Sequence, residues 1–223
     1  IIGLPIGATI FAEMSVFSFT TLLLGQFGPE VVAAPNLSMN INGVFFMPPM
    51  ALGMAATIRI GFRVGEGDAL NARSTALIAM GATMLVALFG AGFIYLLRQQ
   101  LVSMYTLDSD VLALANQLLM FVIFFLIFDA SQSTATGALR GYKDTRVPML
   151  LALFSFWIVG LPLECALGFG WFGEPMGVYG FWIGLFCAVA TASVLITARL
   201  WYVSGNDKTI RRLSFGSTDE SSL

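Results

Sequence analysis

Six apolar runs, at 2–27, 31–60, 72–97, 110–136, 147–169 and 176–203, fill almost the whole of the 223-residue chain. A helix needs about 20 mostly apolar residues to cross about 30 Å of hydrocarbon, and every run meets that length. The separators are short and rich in breakers: GQFGPE, GFRVGEGDALNAR, RQQLVSMYTLDSD, GALRGYKDTR and GWFGEP. The pattern predicts an all-α polytopic membrane protein of six transmembrane helices. A hydrophobic content of 57% against 11% charged residues, with mean hydropathy +0.85, lies outside the range of soluble domains and supports that class.

Orientation follows from the basic residues. With both ends of the segment cytoplasmic, Arg98 alone of the 11 lysines and arginines falls on the outer side. Such a bias predicts a multi-pass membrane protein with that orientation. The last stretch, 204–223, is polar and serine-rich and reads as a disordered cytoplasmic tail. The opening IIGLPIG has neither a basic n-region nor a small-residue cleavage site, so it does not read as a signal peptide. We expect the chain to be the later portion of something longer.

The composition also removes function classes. Histidine is absent, which takes away the usual metal ligand and proton shuttle and, with them, most hydrolase and metalloenzyme mechanisms. The net charge of -2 and scattered basic residues leave no nucleic-acid footprint. Cys165 and Cys187 sit in apolar surroundings without metal-ligand spacing and read as free core thiols. Proton or cation chemistry must therefore rest on carboxylates.

Of the 13 acidic residues, Glu13 and Asp129 lie inside apolar runs, in IFAEMSVF and LIFDASQS. An intramembrane carboxylate costs about 2.5–3.5 kcal/mol on insertion scales and needs a partner, a proton or a cation. The first run has no basic residue, and Arg140 is about 16 Å beyond Asp129 along one helix. Both acids fall near mid-membrane, about 15–16 Å from the cytoplasmic side, so neighbouring first and fourth helices would let them share one cation. Gln132, Ser133 and Thr136 follow Asp129 at i+3, i+4 and i+7 and form a polar stripe on its face. Thr9, Phe17 and Thr20 flank Glu13 more thinly. Either Na⁺ or H⁺ satisfies such carboxylates, and residue type does not choose. Glu164, near the outer end of the fifth run, is expected to reach the interface. The second run carries Pro35, Asn36, Ser38, Asn40, Asn42, Gly43 and the MPPM around Pro48 and Pro49, too polar for a lipid-facing helix; it lies against other helices or a water-filled cavity.

Three segments, LPIGATIFAEMSVF, FMPPMALGMAATIRIGFRVGEGD and FDASQSTATGALRGYKDTRVP, resemble the later half of multidrug and toxic compound extrusion (MATE) transporters of the NorM-like branch. The resemblance runs through all six helices. It implies one lobe of a two-lobe (6+6) transporter whose partner is an N-terminal six-helix lobe, with a cleft between them. It further implies secondary active, cation-coupled antiport of organic cationic drugs across the bacterial inner membrane, not an enzyme, and no cofactor beyond the coupling ion. Glu13 and Asp129 would form the Na⁺ or H⁺ site. Gln132, Ser133, Thr136 and Asn40 would line the substrate cleft, as would Asp108, which matches an acidic residue some members use at the outer end of the fourth helix. Where relatives commonly read Ala-Ala-His-Gln, this chain has Ala33-Ala34-Pro35-Asn36, which puts local geometry there in question. Two other readings compete. An intramembrane aspartyl enzyme would also pair two acids, but neither Glu13 nor Asp129 lies in the Tyr-Asp or Gly-x-Gly-Asp motifs of such enzymes, and the one Gly-Glu-Gly-Asp, at 65–68, falls in a separator. The third is a non-transporting membrane scaffold.

Overall fold

The computed structural model describes residues 3–171, 174–206, 209, 210 and 213. Among these the fold is helical, with six helical spans long and apolar enough to cross a membrane. In chain order they are α1 (Gly3–Leu24), α2 (Pro29–Gly65), α3 (Ala69–Ser103) and α4 (Ser109–Gly141), then a fifth span in three parts, then α7 (Val178–Ser204). The fifth consists of α5 (Arg146–Leu153), a π-helical segment (Phe154–Gly160) and α6 (Leu161–Gly168).

Helices α2, α3 and α4 outrun their apolar stretches at one or both ends. Apolar length measures what lies in hydrocarbon, whereas a helix continues until its backbone is capped. Asp68 stops α3 by accepting from Asn71 N at 3.1 Å and from its side-chain amide at 2.6 Å, bonds that hold the Asp68 carboxyl below the usual carboxylate range. Asp108 caps α4 by accepting from Asp110 N at 2.9 Å and Val111 N at 3.3 Å. Despite Pro35, Pro48 and Pro49, α2 runs unbroken, so the Ala-Ala-Pro-Asn departure does not interrupt the helix.

In lipid, close helix contact depends on small residues, because apolar side chains gain little from leaving acyl chains for one another. Helices α2 and α4 form the most extensive pairing, built on Gly137 and Gly141 of the GALRG stretch. A Cβ on Gly137 would lie 2.5 Å from Gly53 O, and one on Gly141 would lie 2.9 Å from Thr57 O. Thr57 Oγ1 donates across this crossing to Gly137 O at 2.7 Å. A second crossing joins α7 to α6: Gly180 faces the backbone of Leu167 and Gly168, and Gly184 faces Glu164. Gly160 meets Ala188 on the same side of α7.

The π segment has a local cause. Pro162 lacks an N–H and its ring crowds the preceding turn. The Leu161 N–H instead reaches back five residues to Phe156 O, widening the helix just ahead of the proline.

The loop after α4 is tied to α7. Asp144, 3% exposed, accepts from Arg199 Nε at 2.8 Å, and the Arg199 guanidinium lies over the Tyr202 ring, 5.4 Å from its centroid. Asp144→Ala is expected to destabilise the lobe by about 1–3 kcal/mol, less than for a fully buried pair because Arg199 keeps access to solvent. Thermal unfolding in detergent checks this, with exposed Arg146→Ala as the control; equal midpoints would show the pair to be idle.

Part of the expected tail packs back on the bundle. Ile210 is buried in the core beside Leu213, because residues three apart share one helical face. Positions 207, 208, 211, 212 and 214–223 of that tail lie outside the described residues.

Candidate functional site

Helix α1 packs mainly on α5 and scarcely touches α4 along its backbone. Long side chains bridge that space. Gln132 Nε2 of α4 donates to Glu13 Oε1 of α1 at 2.6 Å, and Phe17 meets Phe125 edge-on at 6.2 Å. The first and fourth spans are thus neighbours at the level of the acids.

Asp129 sits one turn before Gln132 on α4, close enough to Glu13 for the two charges to act on each other. Asn42 of α2 lies beside it. Asn42 Oδ1 is buried and has no hydrogen-bond partner among the described residues. Two carboxyls and two amides from three helices therefore meet at this place. Arg140, three turns further along α4, also acts on Glu13 electrostatically. Distance along one helix ruled out an Arg140 pair with Asp129, but it says nothing about Glu13 across the helix gap.

Oxygens are left over around the acids. Among the described residues Asn42 Oδ1, Gln132 Oε1 and Thr136 Oγ1 are buried without partners, and each carries an acceptor lone pair. Buried polar atoms are almost always satisfied, so a group of orphaned oxygens beside two carboxyls fits a site that a small cation or a proton completes. Hard cations take oxygen ligands of this kind, carboxylate and amide carbonyl together.

The other sequence candidates fall in several places. Gln132 is bonded into the site, and Thr136 is buried one turn beyond it. Ser133 is half-buried and its backbone packs against Gly53 at the α2–α4 crossing. Asn40 is exposed on α2 and accepts from Tyr105 Oη at 3.2 Å, about 200° around the helix from Asn42. Asp108 is exposed and caps α4, which accounts for it structurally. Two residues were passed over. Asn42 was one of many polar residues in its span, and only the α2–α4 pairing singles it out. Glu164 does not reach the interface as expected. It is 0% exposed, because Gly184 has no side chain to hold α7 away from it.

An apolar fissure of about 400 Å³ runs between α3, α4 and α7, lined by Met84, Phe128, Ser131, Val194 and Trp201 among others. Ser131 lies about 200° around α4 from Asp129, so the fissure and the acids occupy different faces.

Comparison with known proteins agrees with the geometry. The MatE family model matches residues 5–165. The multidrug resistance protein PmpM of Pseudomonas aeruginosa is 43% identical over 200 residues, covering 89% of this chain and 42% of that protein. The multidrug resistance protein NorM of Aliivibrio fischeri is 36% identical over 206 residues, covering 92% of this chain and 45% of that protein. This chain thus spans less than half the length of these relatives. Among solved structures, the eukaryotic MATE transporter AtDTX14 superposes with a TM-score of 0.85 at 22% identity, over 96% of this chain and 47% of its own. An outward-facing MATE transporter gives 0.82 at 17% identity, over 92% of this chain and 46% of its own. With its family model matched across most of the length and its six helices arranged as in these structures, the chain belongs to the MatE family, on the NorM-like branch.

Proposed function

We propose that this chain is one six-helix lobe of a multidrug efflux antiporter, working with a second six-helix lobe in a bacterial membrane. Glu13 and Asp129 are its ion-coupling site, and the exported substrates are organic cations. The observation that carries this reading is the meeting of the two carboxyls with Asn42 and Gln132, whose amide oxygens are buried without hydrogen-bond partners among the described residues. In the proposed exchange an inward-moving Na⁺ or H⁺ neutralises the acids. The Glu13–Gln132 bridge between α1 and α4 then changes, and drug affinity changes as the cleft switches sides. An ion shifts such an equilibrium only as far as its affinities for the two states differ. Placement of the site at mid-membrane between helices is the arrangement secondary transporters use. Relatives bearing multidrug resistance names support the substrate class.

The test is transport by the assembled protein in vesicles holding a cationic dye. An imposed Na⁺ or H⁺ gradient is expected to drive dye out, and comparing the two gradients identifies the ion. Dye movement indifferent to both would overturn the reading.

A further inference from the structure

Glu164 stands apart from the coupling site. It comes from α6, is 0% exposed, and lies 2.5 Å by its Oε2 from Thr20 Oγ1 of α1. Thr20 Oγ1 is also 2.9 Å from Val16 O in its own helix. A hydroxyl has one hydrogen to give. Sharing it between two acceptors lengthens both contacts, yet the contact to Glu164 is at the short limit for O–H···O bonds. Every contact is met when Glu164 carries a hydrogen. Its Oε2–H then donates to Thr20, and the Thr20 hydroxyl donates to Val16 O.

The second oxygen agrees. Glu164 Oε1 is buried and has no partner among the described residues, which an acid carbonyl tolerates far better than an ionised carboxylate does. Nor does a compensating charge face it. The π segment packed beside α6 has no titratable side chain, and α1 offers Glu13, seven residues before Thr20 and about 10 Å away along the helix. The side of α7 that touches Glu164 is Gly184. Of the titratable groups on α7, Arg199 is about 22 Å further along, and Tyr179, Cys187 and Tyr202 carry no positive charge. Next in sequence, Cys165 offers no positive charge either.

We infer that Glu164 is a second proton-binding site of the lobe, distinct from Glu13 and Asp129, holding its proton on Oε2 against Thr20 and joining α6 to α1 as a neutral acid. This goes beyond the proposed coupling function and stands whether or not that reading is right.

Infrared difference spectroscopy of the assembled, membrane-reconstituted protein tests it near neutral pH, where exposed glutamates are ionised. Wild type minus Glu164→Gln is expected to show a carboxylic-acid carbonyl band that shifts in heavy water. Thr20→Val, which removes the acceptor, is expected to move that band to higher frequency while leaving it present. A carboxylate band lost in Glu164→Gln, with no acid band lost, would overturn the inference. Should Glu164→Gln fail to fold, the Thr20→Val spectrum decides alone: an acid band that does not move refutes the contact.

Discussion

Asp129→Asn is expected to reduce ion-driven drug efflux to the level of membranes lacking the protein, with insertion and folding intact. The asparagine keeps the size and planarity of the side chain. It removes the charge that a cation or proton would neutralise. Glu13→Gln should do the same, because Gln132 can still bond the new amide across the α1–α4 gap while the coupling charge is gone. Equal losses for the two variants, with no further loss in the double variant, would show that they act as a unit, as sites sharing one ion do. Efflux by Asp129→Asn that still answers to the ion gradient would sink the assignment.

The largest structural effect is expected at Gly184. A Cβ there would lie 2.5 Å from the Glu164 backbone nitrogen and 2.7 Å from its Cα. Backbone atoms cannot rotate out of the way, so Gly184→Ala must push α6 and α7 apart along the crossing that buries Glu164. Overpacking of this kind costs about 1–3 kcal/mol and occasionally more. Gly43→Ala, on an α2 face with nothing within 4 Å, is the matched control and should be neutral or slightly stabilising, since alanine suits a helix better than glycine. Thermal unfolding of the solubilised protein compares them; equal midpoints would mean that the α6–α7 contact is looser than described.

Lengths and residue types carried much of this into the sequence. Six apolar runs were enough to place six helices, because crossing a bilayer imposes a length that composition reveals directly. Glu13 and Asp129 were conspicuous for the same reason: an acid inside an apolar run has few innocent explanations. What stayed hidden depended on which helices meet. Asn42 is indistinguishable from Asn36 or Asn40 until α2 is laid against α4. Glu164 was judged by its distance from the end of its span, yet Gly184, twenty residues later, decides its burial. The π segment adds to this, because a phase carried along the fifth span at ordinary α-helical pitch is wrong beyond Phe154. Asp108 also has a role that its local sequence signals. An aspartate just ahead of a long apolar run is a helix-start signal in its own right, and that local role accounts for it.

The widened turn in the fifth span also has a mechanical meaning. Below it, α5 leans mainly on α1, the helix that carries Glu13; above it, α6 is locked mainly to α7. A plain helix would act as a rigid rod, passing every twist of one end to the other. A π turn, with its hydrogen bonds already displaced, is a natural swivel. The two halves of this strut can therefore answer to different neighbours.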